Sequence, residues 1–190
     1  MSASPPSLHV HRHSDRVMSV DAFLTPQECA DLVALADRHG FVAAQVRTEG
    51  GARPLPHIRN NERAQFAAPL WTRRLWERLE QLALPQLDGQ APAGLPADLR
   101  FYRYSPGERF KMHKDGPWEE HGLRSKLTLL VYLNQGFGGG DTDFRDFRVT
   151  PSTGSALIFM HDTWHEGVAL TTGVKYVLRS DILYRPLRSM

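Results

Sequence analysis

His113 and Asp115 stand two residues apart at the end of the run Arg109–Gly116, which has the make-up of a short strand. Alternate strand residues share a face, so this imidazole and carboxylate can point together while Lys114 points away. Such a pair offers two ligands to a metal ion and needs a third from elsewhere. His165 is the best placed donor, with His161 as its rival four residues earlier. The helical zinc-protease pattern would need a glutamate directly after His161, and Asp162 in a strand-rich setting opposes it. Beyond His165 the last strand carries Lys175 and then Arg179, which should share one face with Val177 between them. Tyr132 and Tyr104 add hydroxyl groups, although each also suits half-buried aromatic packing.

Composition bounds what these residues can serve. The chain has 190 residues, 41% of them hydrophobic, enough for one domain with a real core and too few for two comfortable ones. Its 23 basic and 21 acidic residues are interspersed, giving a net charge of +2 and no basic stripe for a phosphate backbone, so no nucleic-acid partner is expected. Cys29 is the only cysteine, so no internal disulfide can form and nothing asks for an oxidising compartment. No signal-peptide run and no apolar stretch of bilayer length is present, so a soluble, cytoplasmic protein without a membrane partner is expected.

The elements that must position the site follow from pattern. Residues 1–16, rich in Ser, Pro and His, read as a mobile leader in which His9, His11 and His13 form at most an adventitious chelator. Residues 17–190 then read as a single domain, with a helical brace over 17–97 and a jelly roll over 98–186. Val17 to Leu24 is expected as a strand. Thr25-Pro26-Gln27-Glu28 supplies an N-cap, a first-turn proline and a capping-box glutamate, so a helix should run to His39 and stop at Gly40. Cys29, Leu32, Val33 and Ala36 fall on its inner face. Phe41 to Val46 suggests a strand, and a loop follows whose tail, Ile58 to Arg63, concentrates polar side chains able to bond a substrate or backbone. A second helix fits Pro69 to Leu84, and the proline-rich stretch 85–96 reads as a connector. From Leu99 the period shifts to alternation, and short strands succeed one another to Tyr184. The predicted fold is mainly β: a double-stranded β-helix, the jelly-roll or cupin-like type, braced by two or three α-helices.

In that fold His165 can return beside His113 and Asp115. Two histidines and one carboxylate on one side of a metal leave the other positions open, the arrangement of non-haem Fe(II) oxygenase sites. Lys175 can then bind the distal carboxylate of a bidentate co-substrate. The residues in order resemble the 2-oxoglutarate and Fe(II)-dependent dioxygenases, and among them the prolyl 4-hydroxylase-like branch. The resemblance spans Val17 to Tyr184 and rests on Tyr104-x-x-Gly107, Phe110-x-x-His113-x-Asp115, Tyr132-Leu133-Asn134, Gly139-Gly140-x-Thr142-x-Phe144, Pro151-x-x-Gly154-x-Ala156-x-x-Phe159, and His165-Glu166-x-Val168 followed by Lys175. It implies Fe(II) on His113, Asp115 and His165, 2-oxoglutarate on Lys175 with Tyr132 and Tyr104 as hydroxyl donors, and O2 as oxidant; a role for L-ascorbate is compatible with it. The implied reaction hydroxylates an unactivated C–H bond with release of succinate and CO2. Some related oxygenases place an arginine where Arg179 stands, so Arg179 competes with Lys175 for the co-substrate or else serves a substrate carboxylate or an internal ion pair with Asp181.

Departures from the branch leave the substrate open between a protein or peptide residue and a small molecule. Ile58 to Arg63 is only loosely like the substrate loop of collagen-type prolyl hydroxylases, and Phe110 stands where the branch often has tyrosine. Trp118 to His121 is expected as a rim or lid. The alternatives are a cupin-like metal-binding protein without oxygenase activity, for which Lys175 would be superfluous; a halogenase, opposed by the presence of Asp115; and a nucleic-acid demethylase, opposed by the mixed charge. Oligomeric state is not legible.

Overall fold

The computed structural model describes residues 8–187. Two long strands, Leu123–Tyr132 and Lys175–Pro186, lie antiparallel at the centre of the larger sheet. Ala156–Met160, Val17–Asp21 and His9–Ser14 extend it on one side, and Asp98–Tyr104, Glu62–Ala67 and Val42–Ala43 on the other. A smaller antiparallel sheet runs in the order Arg148–Val149, Thr142–Asp143, His165–Gly167, Phe110–His113. This is the expected mainly-β jelly roll with two bracing helices among the described residues, α1 (Pro26–His39) and α2 (Pro69–Leu79).

Strand alternation explains how one sheet serves two cores. Phe101, Leu127, Leu129, Val131, Leu178 and Ile182 pack with Leu32 and Ala36 of α1 and Leu75 and Leu79 of α2. Their neighbours Tyr102, Tyr104, Tyr132 and Val177 enter a second cluster with Leu157 and Phe159, between the sheets. Both faces of the sheet are therefore covered, which is why Leu127 to Leu133 reads as a nearly unbroken apolar run. Each such leucine contributes about 2 kcal/mol of burial.

The α1 capping box forms as expected: the Glu28 amide donates to Thr25 Oγ1 (3.2 Å) and the Thr25 amide to Glu28 Oε2 (2.8 Å). Arg78 of α2 donates to the other Glu28 oxygen at 2.7 Å, so the cap also ties the two helices together. Gly154 packs closely against the turn that joins the Val17–Asp21 strand to α1. Its φ is +81°, and a Cβ there would lie 2.1 Å from the Leu24 carbonyl oxygen, so no other residue fits.

The structure departs from expectation in six places, the first being that the strand expected over Val17 to Leu24 ends at Asp21. Within the expected leader of residues 1–16, His9–Ser14 forms a strand against Val17–Asp21, where His11 bonds Asp21 (2.7 Å) and His13 bonds Ser19 (2.8 Å); residues 1–7 lie outside the described residues. Helix α2 ends at Leu79 rather than Leu84, because the amides of Gln81 and Leu82 turn tightly onto the Arg78 and Leu79 carbonyls. The connector 85–96 contains a strand, Gln90–Gly94, against Lys175–Pro186; Pro92 is accommodated there because this short strand pairs on one side only. The expected strand 41–46 is split, its second part pairing as Val46–Thr48 with Gly51–Arg53 in a hairpin. Glu62 and Arg63, expected in a loop, begin the strand Glu62–Ala67.

Candidate metal and co-substrate site

The register of the smaller sheet places His165 directly opposite His113, and the chain leaving His113 brings Asp115 to them through an Asp115 amide bond to the His161 carbonyl at 2.9 Å. One donor atom from each of His113, Asp115 and His165 falls within 4.8 Å of the others, a spacing one metal ion would fit. Both rings are already oriented. Nδ1 of His113 donates to the Lys111 carbonyl (2.7 Å) and Nδ1 of His165 to the Thr163 carbonyl (3.0 Å), which leaves both Nε2 lone pairs free for a metal. Burial pushes His165 down to about 4, so it stays neutral and ligand-competent.

Asp115 is held as firmly. Its Oδ2 accepts from Thr128 Oγ1 at 2.6 Å and faces Arg179 Nη2 at 3.1 Å, whereas Oδ1 lies 3.5 Å from His113 Nε2 and is left to ligate. Burial works to raise this carboxyl, but Arg179, aided by His113 and His165, holds it well below the usual carboxylate range. Arg179 also reaches Asp181 at 3.4 Å, and Arg100 pairs with Asp181 as well.

His161, the rival ligand, stands one layer back. It contacts Thr128 Oγ1 through Nδ1 (2.9 Å) and Ser125 Oγ through Nε2 (2.7 Å). Proton bookkeeping fixes the direction of this chain. The ionised Asp115 can only accept, so the one Thr128 proton goes to it; His161 must therefore donate from Nδ1 and accept from Ser125 at Nε2. The Trp118 amide donates to Ser125 Oγ at 2.8 Å, which completes a one-way chain from Trp118 to the metal carboxylate. Trp118 to His121, expected as a rim, do not line the cleft; Glu119–Glu120 instead pairs with Leu123 and Arg124.

The cleft beside the triad is walled by Tyr102, Tyr104, Phe110, Tyr132, Thr142, Lys175 and Arg179, among others. Lys175 faces Tyr104 across the strand pair, as the shared face of Lys175, Val177 and Arg179 predicts. It is 3% exposed and donates to the Gly140 carbonyl, yet no carboxylate lies within ion-pair reach of it among the described residues. Burial lowers it to about 8, with Asp141 pulling the other way. Gly140 has a φ of +75°, and a Cβ on it would press within 3.3 Å of the Lys175 chain. Tyr132 shares a hydrogen bond with Thr142 Oγ1 (2.6 Å), and burial pushes the Tyr104 hydroxyl up to about 12, so it remains a donor. The structure thus gathers all seven expected residues, but gives Arg179 to Asp115 and Asp181 while Lys175 remains uncommitted.

Sequence reasoning missed Thr128 and Tyr102. Thr128 is hidden in an apolar run; Tyr102 carried a signal, because it alternates with Tyr104 on the same strand face. Of the polar stretch after Ile58, Asn60 accepts the Arg109 amide (2.8 Å) and Glu62 binds Arg103 (2.8 Å), so these two serve the framework.

A jelly roll with two histidines and one carboxylate at one end of its smaller sheet has the construction of a non-haem Fe(II) oxygenase. Residues 99–180 match the family model of the 2OG-Fe(II) oxygenase superfamily. A curated protein of Acanthamoeba polyphaga mimivirus named "Putative prolyl 4-hydroxylase" is 31% identical over 101 residues, covering 42% of this chain and 42% of its own length. The chain therefore spans about two fifths of that relative. Among solved structures, the viral collagen prolyl hydroxylase of Paramecium Bursaria Chlorella virus-1, in complex with 2OG, shares the fold with a TM-score of 0.67 and 22% identity, over 90% of this chain and 97% of that one. A Trichoplax adhaerens prolyl hydroxylase bound to a hypoxia inducible factor peptide fragment gives a TM-score of 0.67 at 16% identity, over 90% and 84% of the two chains. No helix among the described residues is long and apolar enough to cross a membrane.

Proposed function

We propose that this chain is an Fe(II)- and 2-oxoglutarate-dependent dioxygenase that hydroxylates an unactivated C–H bond of a peptide residue or a small molecule, with release of succinate and CO2. The observation that carries this reading is the buried, acid-free Lys175 sharing a cleft with His113, Asp115 and His165. A buried ammonium without a counter-charge costs several kcal/mol, so a protein that only binds metal has no use for one there. His113 Nε2, Asp115 Oδ1 and His165 Nε2 would hold Fe(II), whose chemistry with bound 2-oxoglutarate is the reductive activation of O2. Lys175 takes the distal carboxylate of 2-oxoglutarate, with the Tyr104 hydroxyl as a further donor. Arg179 and Thr128 keep Asp115 fixed so that one of its oxygens faces the metal.

The relatives' names favour a prolyl residue in a peptide as the first substrate class to test. The domain reading is a single unit from residue 17 onward, its helical brace over 17–97 and its catalytic jelly roll over 98–186. The mixed charge and the single buried Cys29 support a cytoplasmic protein without nucleic-acid or membrane partners. The reading is tested by following succinate formation from 2-oxoglutarate by proton NMR in air with Fe(II). Slow substrate-free turnover that disappears in His113→Ala is the expected result; iron bound stoichiometrically with no succinate formed would leave only a metal-binding cupin.

A further inference from the structure

Charge is unevenly matched around Tyr102. The strand register sets Arg63 beside Tyr102, and Arg100 beside Arg179, on the inner face of the larger sheet. Arg59 reaches the same place from the chain bridged to Phe110. Its guanidinium lies 4.2 Å from the centre of the Tyr102 ring and 4.5 Å from that of Phe110, two walls of the cleft. Four guanidinium groups therefore converge on a region that holds, among the described residues, two carboxylates, Asp115 and Asp181. Arg179 and Arg100 take both.

Arg59 and Arg63 are left over. Arg59 is only 5% exposed; its Nε donates to Asn61 Oδ1 at 2.7 Å, but its Nη2 is buried without a hydrogen-bond partner. Neither arginine has a carboxylate within ion-pair reach among the described residues. A buried, unpaired guanidinium is costly to keep, and the two aromatic faces that hold it fix the plane of its fork. Arg63 is half-buried and gives the pair an open side. The excess also survives occupation of the rest of the site, since Lys175 matches the distal carboxylate of 2-oxoglutarate and the metal ligates elsewhere. A planar anion suits two adjacent forks.

We propose that Arg59 and Arg63 form an anion subsite beside Tyr102, and that the natural substrate carries a carboxylate near the C–H bond to be oxidised. This rests on the oxygenase reading and narrows its substrate class. The carboxylate comes either from a free small acid or from an acidic side chain next to the target residue in a peptide.

The test uses protein loaded with Mn(II) and saturating 2-oxoglutarate, titrated calorimetrically without turnover. The probes are two matched pairs: N-acetyl-proline against its amide, and acetyl-Asp-Pro-Gly-amide against acetyl-Asn-Pro-Gly-amide. A preference of about tenfold or more for the acid in either pair, reduced in Arg59→Gln and in Arg63→Gln, is the expected result, and the pair that shows it identifies the source. Arg63→Gln keeps the test open should Arg59→Gln fail to fold. Equal binding within both pairs, no binding of any probe up to about 10 mM, or an acid preference unchanged in both variants overturns the proposal. Binding of 2-oxoglutarate itself, measured in the same loading step, reports separately on the oxygenase reading.

Discussion

Replacing Thr128 by valine removes one hydroxyl from the middle of the chain that runs from Trp118 to Asp115 and leaves the shape of the side chain almost unchanged. Two bonds go with it: the 2.6 Å donation to Asp115 and the 2.9 Å acceptance from His161. The bond to an ionised acceptor is worth about 1.5–3 kcal/mol, and the His161 N–H left buried and unpaired costs about 1–3 kcal/mol more. Thr128→Val should therefore lose about 2.5–6 kcal/mol of apo stability, or roughly 5–24 °C in Tm for a chain of this size. Asp115 keeps Arg179 but loses its second constraint, so Mn(II) affinity should fall about 10- to 100-fold. Urea denaturation of the apo protein and calorimetric titration with Mn(II) measure the two effects. Ser125→Ala, two links further from the metal, should destabilise with less than about threefold loss of Mn(II) affinity. Equal Mn(II) affinity in Thr128→Val and the parent, or an equal loss in both variants, would refute the chain as the means by which Asp115 is positioned.

Four further outcomes follow. Lys175→Met should weaken 2-oxoglutarate about 100-fold by calorimetry while leaving Mn(II) binding intact, because it removes a charge-assisted bond remote from the triad. The lysine also sets a pH dependence: folded, it releases its proton near 8, whereas the unfolded chain holds it to 10.5. Between those values the unfolded state binds more protons, so apo stability should rise with pH while 2-oxoglutarate affinity falls, and both trends should vanish in Lys175→Met. Arg179→Gln should cost the apo protein about 3–5 kcal/mol by urea denaturation, since Asp115 is left as a buried uncompensated charge, and Zn(II) should recover part of the loss. Thr25→Ala should cost about 1 kcal/mol through the α1 cap, with no change in metal or 2-oxoglutarate affinity.

What was readable from sequence divides along physical lines. The ends of α1 were readable because a capping box and a stop glycine are local chemistry, and the observed bounds agree with the expected ones. The shared face of Lys175, Val177 and Arg179 was readable because strand alternation is rigid. Strands in polar or proline-bearing sequence were not, since His9–Ser14 exists through its hairpin with the neighbouring Val17–Asp21 and Gln90–Gly94 through pairing with the distant Lys175–Pro186, rather than through their own composition. The division of labour between Lys175 and Arg179 was equally hidden. Both cations lie on one face, and only the position of Asp115 and Asp181 in three dimensions shows which of them is already paired. His161 resembled a ligand in spacing alone; its place behind Thr128 depends on the pairing of Leu123–Tyr132 with Ala156–Met160.

The central claim is that the triad and Lys175 act on one co-substrate. Anaerobic titration of the Fe(II)-loaded protein with 2-oxoglutarate, followed through the visible metal-to-ligand charge-transfer band, tests it most directly. The account predicts a saturable band that is lost in His165→Ala and that needs far more 2-oxoglutarate to saturate in Lys175→Met. Stoichiometric iron binding with no band at any 2-oxoglutarate concentration would contradict it.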